Sequence, residues 1–380
     1  MLFGMDEKRL EQIRRHAEKR VSDKLQPGCS WCVTRHGHVV SKGVVGWSVY
    51  GEIPLTEDAI FRLASMSKPI TACAVMMQAE KGLFRLTDCV EKYLPEFHGM
   101  QYYAEDGSVQ PASAITIRQL LSHSSGLLQD ESGMTQFAEI RPKDGDTLKT
   151  MMPRYAKTIL AFAPETRSSY SGVAGLDVLS RLVEITSDMS YGEFLRKNIF
   201  EPLEMSDTTF HPTQEQRVRI VPLYTVENGT FTPKECAMPA MLAESYESGS
   251  ANLVGTLMDY IQFAEMLRRN GIGVNGNRIL CPRSVERMRM PAYAHTIPSL
   301  LGEGVEWGLG MRVITMANGD AAPLSKGAYG WSGAFNTHFF IDPTLDLTAV
   351  YMCNIANGGG AGAPTTFEFE NDVMQAVMEY

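Results

Sequence analysis

The sequence predicts an α/β protein of the α+β type, in which an antiparallel sheet is flanked by terminal helices and a mainly helical subdomain is inserted. β-rich runs cluster near both ends of the chain, helical spacing opens and closes it, and residues 66–200 read mostly as helix. Strands supplied from both termini are buried most economically in one sheet under the end helices. At 380 residues the chain exceeds a single small core. The expectation is one unit of two parts, an α/β subdomain from about 1–65 and 250–380 and a helical subdomain from about 66–249, with a ligand cleft between them.

Leu10, Ile13, Ala17 and Val21 recur at helical spacing among charges, so residues 6–24 predict an amphipathic helix. Ser30-Trp31-Cys32-Val33-Thr34 and the run from Val39 to Val45 are joined through Arg35-His36-Gly37-His38, which reads as a hairpin. Helices follow at 70–81, 117–121 and 172–187. Toward the other end, Thr337-His338-Phe339-Phe340-Ile341 and Leu347 to Met352 flank Asp342-Pro343-Thr344, a turn between strands. After a Gly-rich loop, Phe367 to Tyr380 reads as the closing helix.

Composition narrows the function classes. With 44% hydrophobic and 21% charged residues the chain is an ordinary folded protein. A net charge of −9 without long charged runs argues against nucleic acid and anionic membrane surfaces as partners. No secretory pattern follows Met1 and no stretch is apolar enough to span a bilayer, so the expected location is cytoplasmic. Seven cysteines are an odd number in a chain too large to need disulfide staples. Cys29-Ser30-Trp31-Cys32 satisfies CxxC, but in a strand its two side chains point to opposite faces, which favours packing. There is no second CxxC and no HExxH, so a zinc has nothing to hold it, and the chemistry of Ser65-Met66-Ser67-Lys68 calls for neither a metal nor an organic cofactor. Gly271 to Gly276 fits GxGxxG but follows a helix instead of a strand, and Gly358-Gly359-Gly360 lacks the Lys of a phosphate loop. Both read as turns.

Ser65-Met66-Ser67-Lys68 carries the chemistry. Positions i and i+3 share a helix face, so Lys68 can reach the Ser65 oxygen. Pro69 lacks an N–H and is harmless only near a helix start, which places Ser65 at the N-terminus. The helix dipole and burial there favour a neutral amine that can accept a proton and activate the hydroxyl. Ser171 can cap a helix starting at Gly172, setting the Tyr170 phenol beside that helix's positive end and making it a plausible base.

Residues Phe61 to Ala72 resemble the nucleophile segment of serine β-lactamases and penicillin-binding proteins. Leu120 to Leu127, Tyr170-Ser171-Gly172, Ile199 to Leu203, Trp307 to Gly310 and Trp331-Ser332-Gly333 match in order and spacing. The chain is most similar to the class C β-lactamase-like branch, closest in motifs to family VIII carboxylesterases. This resemblance implies Ser65 as nucleophile, Lys68 and Tyr170 as an unranked proton shuttle, and the Ser65 and Ala334 N–H groups as oxyanion hole. Gly172, Trp331, Ser332 and Gly333 are implied as substrate contacts. Lactamases carry Asn where this chain has Gly172, and Lys where it has Trp331. A neutral ester or lipophilic acyl group therefore suits the site better than an amide or a carboxylate.

His123 invites a Ser-His-Asp reading, but no GxSxG surrounds Ser65 and the segment is structural in the resembled family. The expected function is hydrolysis of small or medium carboxylic esters through a Ser65 acyl-enzyme. A β-lactamase or D-amino-acid peptidase, an acyltransferase, and a noncatalytic binding or scaffold relative stay open as alternatives. Specificity is expected from loops at Gln101 to Gln110, Gln129 to Asp146 and Tyr224 to Glu247, while sequence leaves the oligomeric state undetermined.

Overall fold

The hairpin at the start of the chain forms as its turn residues require. The computed structural model describes residues 1–234, 246–293, 296–298, 301–316 and 323–379. Strands β1 (Gly28–Arg35) and β2 (His38–Val49) pair antiparallel around His36 and Gly37, whose φ values are 51° and 78°. Two positive φ angles match the twist of a two-residue hairpin turn. Strand β3 (Ile53–Pro54) extends the edge, and the C-terminal part adds β4 (Val305–Trp307), β5 (Arg312–Ile314), β6 (Tyr329–Gly333), β7 (Thr337–Asp342) and β8 (Leu347–Met352). The sheet order is β4-β5-β6-β7-β8-β1-β2-β3, so β8 joins the C-terminal strands to the N-terminal hairpin. At the β7–β8 turn the Asp342 carboxylate accepts the Thr344 and Leu345 N–H groups.

Each face of the sheet buries a different layer. Helix α1 (Glu7–Ser22), capped by the Asp6 side chain, packs Leu10, Ile13 and Ala17 with Cys29, Trp31 and Val33. The closing helix, expected from Phe367 onward, runs over Pro364–Met374, and its Phe369 and Val373 join the same layer. On the other face Cys32, Phe339, Ile341 and Val350 belong to the large core shared with the helical middle. Cys29 and Cys32 thus lie on opposite faces, and burial pushes their thiols up to about 11 and about 12.

Helix α2 (Ser67–Glu80) is the buried axis of that larger core, flanked by α3 (Ile117–Leu121) and α4 (Ala174–Ser187). Helix α5 (Leu257–Arg268) lies against β1, β7 and β8. The middle of the chain also carries two small hairpins, Gln101–Tyr103 with Val109–Pro111 and Leu223–Glu227 with Thr230–Lys234. Of the expected specificity segments, the second contains a helix at Asp130–Ile140, and residues 235–245 of the third lie outside the described residues. Gly271 and Gly276 sit in turns at φ 91° and 89°. No helix among the described residues is long and apolar enough to cross a membrane.

Candidate active site

Ser65 occupies a single tight turn, Ala64–Met66, that leads into α2. Neighbouring elements hold this turn from several sides. Leu63 N–H donates to Leu253 O at 2.9 Å, Thr337 Oγ1 donates to Leu63 O at 3.1 Å, and Tyr260 OH donates to Met66 O at 2.9 Å. Ala64 sits at φ 47°, a conformation that L-residues avoid and that persists only where surroundings enforce it.

Lys68, one helical turn on, is fully buried. Its Nζ lies 3.2 Å from Ser65 Oγ, 2.7 Å from Gly172 O and 3.0 Å from Ser250 O. A neutral amine has two N–H groups and one lone pair, so the two carbonyls take both protons and the lone pair faces Ser65. An ammonium instead donates its third proton to the hydroxyl. Tyr170 OH lies 2.7 Å from Ser65 Oγ and accepts the Trp331 Nε1–H at 3.3 Å. Ser65, Lys68 and Tyr170 thus share one hydrogen-bonded cluster with Trp331 beside it. Helix α4 begins at Ala174, two residues later than expected, yet Ser171 Oγ still accepts the Gly175 N–H at 3.1 Å.

The strand bearing Trp331 comes unusually close to the turn that carries Ser65. A Cβ on Gly333 would meet Thr337 Oγ1 at 2.1 Å and Leu63 O at 2.4 Å, so only glycine allows this approach. Ala334 then packs against the cluster of Ala64, Leu223 and Phe335, which places its backbone beside the Ser65 turn. At Gly172 a Cβ would meet nothing within 4 Å, so the position lost by Asn is open space. Trp331 forms an aromatic wall with Trp307 and Tyr170, at centroid distances of 4.6 Å and 5.3 Å.

Ser332 is the expected contact whose side chain turns away. Strand alternation sends it to the far face of the sheet, where Oγ shares a hydrogen bond with His338 Nδ1 at 2.8 Å. His338 Nε2 lies 3.0 Å from Glu370 Oε1, and Arg312 forms an ion pair with the same carboxylate. Burial works to raise the Glu370 carboxyl, but Arg312 and His338 hold it below its ordinary value. This hydroxyl–imidazole–carboxylate row has triad spacing, yet all three residues are buried, so it braces β6 instead of meeting a substrate.

His123 is also fully buried, with Nδ1 accepting the Ser171 N–H at 3.1 Å and its ring 4.9 Å from Tyr170. Burial, and then the nearby Lys68 charge, lower its pKa well below the ordinary histidine value. It is a neutral packing group under the tyrosine. Sequence reasoning missed two contributors, the Ser250 carbonyl on Lys68 and the buried carboxylate of Asp177 behind it. Asp177 had a signal, an acidic residue between Leu176 and Val178 on a helix otherwise rich in apolar residues. Ser250 had none. No group of three metal-ligating side chains is present among the described residues.

The family model described as Beta-lactamase matches residues 13–368. Esterase EstB of Burkholderia gladioli is 28% identical, with 92% of this chain and 91% of that protein covered. The solved structure of EstCE1, a hydrolase with promiscuous acyltransferase activity, matches with a TM-score of 0.82 at 24% identity, covering 97% and 99% of the two chains. Simvastatin synthase (LovD) from Aspergillus terreus matches with a TM-score of 0.77 at 20% identity, covering 96% and 98%. The family match across nearly the whole length agrees with the mixed fold built on one antiparallel sheet: the chain belongs to the beta-lactamase family and is a serine hydrolase.

Proposed function

We propose that the chain cleaves small or medium carboxylic esters through an acyl-enzyme on Ser65. The observation that carries this reading is the position of Ser65 Oγ, 2.7 Å from the Tyr170 hydroxyl and 3.2 Å from the Lys68 amine. The ester enters the cleft between the α/β part, about 1–65 and 250–380, and the helical part, about 66–249. Ser65 Oγ attacks the carbonyl carbon while its proton passes to the Lys68–Tyr170 pair. The oxyanion that forms takes hydrogen bonds from the Ser65 and Ala334 N–H groups. Collapse breaks the ester C–O bond, and the departing alkoxide recovers the proton as alcohol. Water then repeats the sequence on the acyl-enzyme, releasing the acid and restoring Ser65.

The wall of Trp307, Trp331 and Tyr170 favours an apolar acyl group, and esterase EstB supports an ester substrate. Transfer of the acyl group to an alcohol instead of water is the second reading, favoured by the acyltransferase activity named for EstCE1. The test is p-nitrophenyl butyrate hydrolysis by the intact protein beside Ser65→Ala, with circular dichroism for both and an added alcohol acceptor in a parallel reaction. Turnover lost in the variant supports the ester reading, and an ester product with the acceptor moves it to acyl transfer. Equal rates in both proteins would overturn the assignment of Ser65.

A further inference from the structure

Behind Lys68 lies a carboxylate that the proton shuttle does not use. Asp177 on α4 is fully buried, and no lysine or arginine among the described residues forms an ion pair with it. Its Oδ1 accepts the Ser248 hydroxyl at 2.6 Å and the Ser250 N–H at 3.2 Å, while Oδ2 lies 3.4 Å from Tyr155 OH. Ser250 in turn offers its carbonyl to Lys68. The same segment is threaded between α2 and α4, because Gly249 O accepts the Thr71 hydroxyl at 2.6 Å. A Cβ at Gly249 would sit 2.0 Å from Ser180 Oγ.

We propose that Asp177 is a positioning residue for Lys68: it pins Ser250 so that its carbonyl orients the amine, and its negative charge balances the proton Lys68 gains when Ser65 attacks. This rests on the reading of Ser65 and Lys68 given above. A buried ammonium needs a compensating charge, and Asp177 is the carboxylate that the 248–250 segment ties to it.

Burial pushes the Asp177 carboxyl up to about 6, against hydrogen bonds from Ser248, Tyr246 and Ser250 and the Lys68 charge, which pull it down. The groups facing it are Lys68 from α2, Tyr155 from Leu148–Ala156, Tyr246 from the 246–250 segment and Tyr191 from Tyr191–Leu195. The three tyrosines are all raised by burial and stay protonated, and His123 is lowered well below 6.5. Protonation of Asp177 adds an acid limb at about pH 6 to the labelling rate. Because its folded value is raised, the ionised carboxylate disfavours the fold, and folding is helped as pH falls through that value. Asp177→Asn removes this burden while Oδ1 can still accept both hydrogen bonds, so the variant folds.

The experiment is the rate of Ser65 labelling by a fluorophosphonate probe from pH 5 to 9 in the intact protein, Asp177→Asn and Ser248→Ala, with thermal unfolding of each. Wild-type labelling should fall as pH drops through about 6. Asp177→Asn keeps the pinning of Ser250 but lacks the charge that balances the Lys68 ammonium, so it should label about 10²-fold more slowly at pH 8, the low end of what positioned proton transfer contributes, without that acid limb and with an undiminished Tm. Ser248→Ala removes a bond that stabilises the carboxylate, so its acid limb should move to higher pH. Equal rates and equal limbs in all three proteins overturn the role of Asp177 while leaving Ser65 in place. Folded wild type that is never labelled at Ser65 overturns instead the reading on which this one is built.

Discussion

Gly333→Ala is the sharpest perturbation the geometry offers. The added methyl would stand 2.1 Å from Thr337 Oγ1 and 2.4 Å from Leu63 O. Thr337 cannot rotate away freely, because its hydroxyl donates to that same Leu63 carbonyl. Ordinary contact starts near 3.4 Å, so the end of β6 must retreat from the nucleophile turn by roughly 1 Å. That retreat carries the Ala334 N–H with it. Loss of one oxyanion donor lowers turnover by about 10²–10³, while overpacking at a strand end costs about 1–3 kcal/mol of stability. The expected outcome is a folded protein whose kcat for p-nitrophenyl butyrate falls by about 10²–10³ with KM changed little. The assay is steady-state kinetics on both proteins beside thermal unfolding. Wild-type kcat in folded Gly333→Ala would refute both the close approach and the placing of Ala334 in the oxyanion hole.

Further expectations follow from the same structure. Tyr170→Phe removes the hydroxyl 2.7 Å from Ser65 and should lower kcat by about 10²–10⁴; a loss under threefold in steady-state kinetics would remove Tyr170 from the shuttle. His123→Gln gives up the Ser171 hydrogen bond, worth about 1 kcal/mol, and should keep turnover within about tenfold of wild type. Complete loss in a folded variant would instead call for a serine–histidine mechanism. Glu370→Gln leaves Arg312 and His338 without their carboxylate and should cost about 3–5 kcal/mol in urea unfolding at pH 7. Since Glu370 is held below its ordinary value, its stabilisation is complete above about pH 4.3 and lost as pH falls through the lower folded value. The gap between wild type and variant should therefore narrow on acidification toward pH 3, and a constant gap would contradict the charge pairing. Iodoacetamide at pH 8 should leave Cys29 and Cys32 unmodified in the folded protein, as mass spectrometry of tryptic peptides would reveal.

Much of the site was legible because its first two members are local. Ser65 and Lys68 are three residues apart, and the pitch of a helix alone brings them together. Local rules also foresaw the His36–Gly37 hairpin, the buried stripe of α1 and the opposed faces of Cys29 and Cys32. Boundaries drifted where caps decide them. Helix α4 starts at Ala174 because Ser171 reaches Gly175 in place of a nearer N–H, and the closing helix starts early at Pro364, which fits a first turn.

What the sequence determined by itself is whatever depends on neighbours within a turn or a strand: Ser65 beside Lys68, the hairpins, the amphipathic first helix and the two-faced strands. Tertiary structure decided the rest. Tyr170 meets Ser65 across 105 positions, and Trp331 meets Tyr170 across 161. No periodicity reports such pairings, because they depend on which face of β6 packs toward α2 and on how closely Gly333 lets it come. The same alternation that turns Trp331 toward Tyr170 turns Ser332 the other way, toward His338 and Glu370. Asp177 reaches Lys68 only through the folded 248–250 segment, a path made by packing that leaves no spacing in the chain.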